Sequence, residues 1–392
     1  MVKPLDEIPR GTIAAGRAPG RMTAVDLARA LATLGMMVVN VESIIADNTI
    51  GPDWLIQLIE ATEGRFAPIF VVLAGLGVTL MTRGFQLCGD RYGLNRTRHV
   101  LFKRAAFLFA AGLCLRLDWP ADILHCYGVY LMIGALMLTA STRQLLGTAA
   151  LVYAVSVSIG LLGDLYQQWD WSMVTDPELF SPKGLIRYLL FVGYYPAFPW
   201  LSFFLFGMWL GRNDMAHPRF KILTLAAGTL LVAAGEVLPR VLKTTIVELA
   251  YSTKTFNLIY LASTDAFPPM PLFGISGIGA ALTVIGMCLV LVHRWPASPA
   301  LSALIVTGRM TLTLYVAHIV IGIDALALAG MGENQPFMIA VLWGLAFFGL
   351  SVLFAVLWDR RFGRGPLERI MRSISEIPIP VPFQRIVPVS RR

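Results

Sequence analysis

Apolar residues run along this chain in continuous blocks, most of them long enough for a helix to cross a hydrocarbon layer, and polar residues gather between them. Spans are expected near 24–46, 64–82, 105–117, 123–140, 145–163, 185–211, 221–238, 271–293, 300–330 and 337–357. The strict apolar/polar alternation of a membrane β-barrel is missing. The pattern predicts an all-α, polytopic membrane helix bundle of about 10 transmembrane helices. It divides the chain into a tail at 1–20, a helical domain at 21–358 and a basic tail at 359–392. Between spans, 47–63 reads as an acidic loop with a semi-apolar piece, 83–104 as a strongly basic loop, and 164–184 and 239–270 as polar connections. The sixth span carries Pro196 and Pro199, which kink a membrane helix and free backbone carbonyls. The proline-alternating IPIPVPFQ near the end reads as extended.

Composition agrees. The chain is 56% hydrophobic and 14% charged, against roughly a quarter charged in soluble domains. The net charge of +8 sorts by topology and does not point to nucleic acid. With the first residues placed in the cytoplasm and the loops alternating, all but seven of the 32 Lys and Arg fall on the cytoplasmic side. The seven are Arg65, Arg116, Lys183, Arg187, Arg240, Lys243 and Lys254. That asymmetry obeys the positive-inside rule and puts both termini in the cytoplasm. The four cysteines are scattered without metal-type spacing and read as small packing residues. No metal site is expected.

Polar groups inside such spans are costly and mark either helix–helix contacts or a functional cavity. The first span, RMTAVDLARALATLGMMVVN, carries three. Asp26 and Arg29 share a helix face and can pair. Asn40 lies roughly 21 Å farther along the axis at helical rise, and so near the other surface. At the start of the fourth span, Asp122 and His125 also share a face, with Tyr127 close by. A carboxylate beside a histidine fixes its tautomer and raises its basicity, as a general base requires. The same pair could simply cap a helix at the interface. His318 lies deep in the ninth span, either as a hydrogen-bonded packing element or as a substrate contact. Arg29, with Arg96, Arg98, Lys103 and Arg104 of the basic stretch, could hold the phosphates of an acidic substrate or contact lipid headgroups. Asp26 reads as a structural partner of Arg29 or a substrate-side group. No phosphate-binding glycine loop, zinc-protease motif or serine elbow is present.

Five segments in order resemble one family. RMTAVDLARALATLGMMVVN resembles the opening helix of the heparan-alpha-glucosaminide N-acetyltransferase superfamily and its bacterial YeiB-like branch. GRFAPIFVVLAGLG, DWPADILHCYGVYLMIGALML, GRMTLTLYVAH and FGRGPLERIMR resemble later segments of the bacterial branch. The resemblance implies a multi-pass protein of the bacterial inner membrane. Such a protein would move an acyl group, acetyl or longer, from acyl-CoA (acetyl-CoA) to a sugar or other hydroxyl or amine acceptor at the outer side. It implies that Asn40 donates to the thioester oxygen, while His125, oriented by Asp122, takes the acceptor's proton. Asp26, His318 and Tyr127 are expected to meet substrate, and the basic side chains to hold the donor. The chain departs from the family pattern at Ala30, Ala121 and Leu314, and has no histidine between residues 41 and 98. The alternative is a non-catalytic transporter, or a structural subunit with a homo-oligomeric or membrane-complex partner. Membrane lipids are partners in either case.

Overall fold

The computed structural model describes residues 19–47, 49–162, 181–253 and 256–377. The predicted tail up to residue 18, nearly all of the polar connection at 164–184 and the proline-alternating stretch beyond Ile377 lie outside the described residues. The rest is almost entirely helical. In order come α1 (Pro19–Ile45), α2 (Asp53–Glu60), α3 (Phe66–Leu87), α4 (Arg91–Leu115) and α5 (Leu124–Leu136). They are followed by α6 (Thr142–Leu162), α7 (Pro182–Arg187), α8 (Ala197–Leu210), α9 (Pro218–Thr253) and α10 (Pro271–Arg294). The last are α11 (Pro299–Gly308), α12 (Thr311–Ala317), α13 (Asp324–Leu328), α14 (Phe337–Phe362) and α15 (Pro366–Glu376). Two residues at Ala46–Asp47 pair in parallel with Gln335–Pro336 and tie the end of α1 to the start of α14.

Among the described residues seven helices are long and apolar enough to cross a membrane, or eight if the pair Pro182–Val192 and Ala197–Leu210, bent by 52°, forms one span. This is an all-α membrane helix bundle. The predicted third and fourth spans correspond to α4, whose first half is charged, and to α5, which is only 13 residues long.

Three connections differ from the sequence reading. The basic stretch 83–104 is not a loop, because α3 continues to Leu87 and α4 begins at Arg91. Asp90 caps α4 by accepting from the Gly93 N–H at 2.9 Å, and Arg and Lys are good helix formers, Arg91 and Arg96 lying on the exposed side. The polar connection at 239–270 is helical as far as Thr253, since α9 runs through Pro239. Leu238, Val241, Leu242 and Leu249 recur there at helical spacing. The ninth span is not continuous. It breaks at Arg309–Met310 between α11 and α12, and widens into a π-type turn at His318–Ile323.

The helices at the centre touch backbone to backbone. A side-chain carbon at Gly75 of α3 would lie 1.9 Å from the Phe204 carbonyl oxygen of α8, and one at Gly308 of α11 would lie 1.7 Å from that of Asp26 in α1. Small residues permit this approach where lipid offers no hydrophobic drive between helices. Thr79 Oγ1 adds a bond to the Met208 carbonyl at 2.7 Å. Around this centre Trp200, Phe203, Phe204 and Phe273 form a fully buried aromatic core. The aliphatic surfaces of α6 and α9 remain mostly exposed, as a lipid-facing surface would be.

Candidate functional site

A cavity of about 420 Å³ lies between α1, α3, α4, α5 and the α11–α12 break, with α15 across one end. Along α1 it extends from Val25 to Met36, about 16 Å at helical rise. Its walls are mostly apolar: Phe70, Leu73, Leu108, Leu124 and Leu131 are typical. Charge collects at the Asp26 end, where Arg29, Arg104, Arg309 and Glu368 line it. Arg29 is held by Asp26, Nη1 donating to Oδ1 at 2.8 Å. Gly77 faces this guanidinium, and a side-chain carbon there would stand 3.1 Å from Arg29 Nη2. The pairing read from the i, i+3 spacing is therefore present.

α15 closes that end. Its Glu368 carboxylate accepts from the Thr313 N–H at 3.1 Å and the Thr313 hydroxyl at 2.5 Å. Thr313 Oγ1 in turn accepts from the Leu367 N–H at 3.0 Å. Burial raises the Glu368 carboxyl above its ordinary range, against the opposing pull of the Thr313 hydrogen bonds. A raised carboxyl binds its proton more tightly in the docked state. Docking of α15 is then strongest below the ordinary carboxylate pKa of about 4.3 and weakens as pH rises through the shifted value. Amide protection across 366–376, taken relative to the intrinsic exchange rate at each pH, is expected to be greater at pH 5 than at pH 8. Glu368→Gln should remove the difference, and an unchanged difference would refute this account.

Two polar groups lie beside the cavity without lining it, joined to it by Tyr315. In the first, Asp122 and His125 are both fully buried. His125 Nδ1–H donates to Asp122 Oδ2 at 2.9 Å, and the His125 backbone N–H reaches the same oxygen at 3.2 Å. The other imidazole nitrogen, Nε2, accepts from the Cys126 thiol at 3.2 Å. The ring stacks on Tyr188, centroids 5.7 Å apart, and Arg116 lies over Tyr188 at 4.4 Å. Gly112 of α4 lets α5 approach so closely that a side chain there would strike the His125 backbone nitrogen and the Asp122 carboxylate. Asp122 Oδ1 takes a third bond, from the Tyr315 hydroxyl at 3.1 Å. Tyr315 also accepts from the Ile123 N–H at 3.3 Å.

The second group is Asn40 with His318. The Asn40 amide donates to His318 Nε2 at 3.0 Å, and the His318 side chain is buried. The Tyr315 and His318 rings meet edge to face, 5.3 Å apart. Tyr315 thus links the two groups.

Of the residues named from sequence, Arg29, Arg104 and Tyr127 line the cavity, and the buried Tyr127 hydroxyl has no hydrogen-bond partner among the described residues. Asn40 joins His318, not His125. Arg98 bonds the Ala135 carbonyl at 3.0 Å, Lys103 the Ile377 carbonyl at 2.5 Å, and Arg96 is exposed on α4. These three do not line the cavity. Sequence reasoning missed Tyr315, Arg309 and Glu368 as cavity residues. Tyr315 stands three before His318, so the spacing that paired Asp26 with Arg29 could have flagged it. Among the described residues no group of three or more His, Cys, Asp or Glu is gathered as for a metal ion.

Fold and cavity define a multi-pass helical membrane protein with a partly open, mostly apolar slot, charged at one end. The family model for heparan-alpha-glucosaminide N-acetyltransferase, catalytic, matches residues 21–231, and the chain belongs to that family of membrane acyltransferases. Residues 212–377 match a family of unknown function, DUF418. The chain is also similar to the uncharacterized protein YeiB of Escherichia coli (strain K12), 23% identical over 399 residues, covering 91% of this chain and 96% of that protein.

Proposed function

We propose that the protein transfers an acyl group, acetyl or longer, from acyl-CoA to a hydroxyl or amine of a small acceptor such as a sugar. The observation that carries this reading is the slot itself. Its charged end offers Arg29, Arg104 and Arg309 to phosphate oxygens, its walls suit an uncharged extended arm, and it is lined by Tyr315, whose hydroxyl bonds Asp122 and whose ring meets His318, the partner of Asn40. The orphan Tyr127 hydroxyl would pair with a carbonyl of the arm. A slot of this kind favours an enzyme over a purely structural subunit, for which a filled core would serve.

In this reading the thioester carbonyl comes to rest beneath Asn40. A positioned donor to the developing oxyanion there is worth roughly 2.7–4 kcal/mol in rate. The acceptor enters from the Asn40 side, where Ser43 is exposed one turn beyond. The distribution of Lys and Arg supports ten crossings of a bacterial inner membrane, with the Arg29 end and both termini in the cytoplasm. The donor would then come from the cytoplasm and the product form near the outer face.

The test is binding of acetyl-CoA to the purified, detergent-solubilised protein. Wild type is expected to bind, and Arg29→Ala to bind at least ten-fold more weakly, since one lost charge-assisted contact costs about 1.5–3 kcal/mol. No binding by wild type at millimolar acetyl-CoA would refute the reading.

A further inference from the structure

We infer that Tyr315 is the acid–base residue of this site, the group through which the buried Asp122–His125 pair acts on substrate. The inference rests on the acyltransferase reading above. The starting observation is one of access. His125 and Asp122 are both fully buried, and neither lines the cavity. Both imidazole nitrogens are engaged: Nδ1 by Asp122 on one side, Nε2 by Cys126 on the other. The helix that carries them turns this face toward Tyr188 of the bent α7–α8 pair, while Leu124, Tyr127 and Leu131 face the cavity. A histidine so placed cannot take a proton directly from a molecule in the slot.

Tyr315 is different. It lines the cavity, and its hydroxyl donates to Asp122 Oδ1 at 3.1 Å. Its oxygen accepts one bond, from the Ile123 N–H at 3.3 Å, and keeps a second lone pair. Among the described residues, it is the member of the Tyr315–Asp122–His125 chain that touches the slot. The Asp122 carboxylate meanwhile receives three protein donors: the Tyr315 hydroxyl, the His125 ring and the His125 backbone. The arrangement is that of a base whose proton store lies one bond behind it.

The proton balance closes without any added reagent. As the acceptor's oxygen or nitrogen attacks the thioester carbon, its proton passes to Tyr315 Oη, and the proton already on Oη passes to Asp122 Oδ1. His125 Nδ1–H continues to hold Oδ2. Collapse of the tetrahedral intermediate breaks the carbon–sulfur bond, and the proton returns through Tyr315 to the leaving thiolate. The acceptor has gained the acyl group, the donor leaves as the free thiol, and the three side chains end as they began. In this scheme Tyr315 is the catalytic residue, and Asp122 and His125 are positioning residues. The ring of Tyr315 against His318 fixes the hydroxyl between the two polar groups.

The experiment compares wild type with Tyr315→Phe, which removes one oxygen and keeps the ring. Acetyl-CoA is the donor and glucosamine the first acceptor, with hydrolysis by water as the slower reaction. Acetyl-CoA affinity should stay within three-fold of wild type, which also reports that the variant is folded. The kcat should fall by roughly 10²–10⁴-fold, the usual contribution of a positioned acid–base group. A Tyr315→Phe protein with kcat within three-fold of wild type overturns the assignment. Should the variant fail to fold, a fluorinated tyrosine at 315 keeps the hydroxyl and lowers its pKa. The pH profile of kcat must then move to lower pH, and an unmoved profile overturns the assignment. Wild type that binds no acetyl-CoA and turns none over refutes the acyltransferase reading, and this inference falls with it. An active wild type with an equally active Tyr315→Phe refutes Tyr315 alone.

Discussion

Asp122→Ala is expected to destabilise the protein by about 3–5 kcal/mol, because it leaves several buried hydrogen-bond donors unpaired at once. The carboxylate receives three hydrogen bonds in a place with no exposure at all. Its loss strands the His125 ring N–H, the His125 backbone N–H and the Tyr315 hydroxyl together. A buried donor without a partner forfeits its desolvation cost, about 1–3 kcal/mol each. The neighbouring chain cannot relax to fill the gap, because Gly112 already brings α4 into contact with the His125 backbone. Asp122→Asn keeps the volume and should recover part of the stability. Its amide offers one acceptor oxygen where the carboxylate offers two, so either His125 or Tyr315 loses its acceptor and acyl transfer stays low. Thermal unfolding of both variants in the same detergent decides the matter. An Asp122→Ala protein as stable as wild type would remove the buried carboxylate from its central place.

Gly308→Val should be nearly as damaging, for a steric reason. The first carbon of any side chain at 308 would stand 1.7 Å from the Asp26 carbonyl oxygen. Backbone on both sides leaves α1 and α11 no option but to part. Overpacking of this kind costs about 3 kcal/mol. The displacement has a functional side as well, because Gly308 and Arg309 line the cavity beside Arg29. Acetyl-CoA binding should fall more than ten-fold in whatever protein survives purification. Gly147→Ala, where nothing lies within 4 Å of an added carbon, serves as the control and should behave as wild type. A folded, fully binding Gly308→Val protein would mean that α1 and α11 are not in backbone contact.

The sequence made the membrane bundle and the first helix legible for local reasons. Long apolar blocks identify spans without tertiary information, and Asp26 and Arg29 are partners because three residues on a helix make them so. The partner of Asn40 was not legible in that way. His318 lies 278 positions away, and no local spacing joins them. His125 and Asp122 were paired correctly by spacing, but spacing does not say which face of α5 meets the cavity. Packing against Tyr188 decided that, and it turned the histidine away. The basic stretch 83–104 misled because charge was read as loop. A capped helix with Arg91 and Arg96 on the exposed side has the same composition. The break at Arg309–Met310 could not be anticipated from hydropathy, because GRMTLTLY is apolar enough to continue a span. It is the close crossing of α1 and Gly308 that fixes where the chain bends.

The walls of the slot come from two stretches far apart in the chain, residues 25–131 and 308–371. The helices between them, α6 to α10, contribute no lining residue. Two jobs are thus separated along one polypeptide. The outer two stretches line the slot, and the middle stretch buttresses α3 and α1 and presents the exposed aliphatic surfaces of α6 and α9. Drift in α9 can retune the protein to a thicker or thinner bilayer, since at 36 residues it is about 54 Å long against a hydrocarbon core of about 30 Å. Such drift leaves the donor slot untouched. Relatives adapted to different membranes would then differ most in the middle of the chain and keep the same pocket between its two ends.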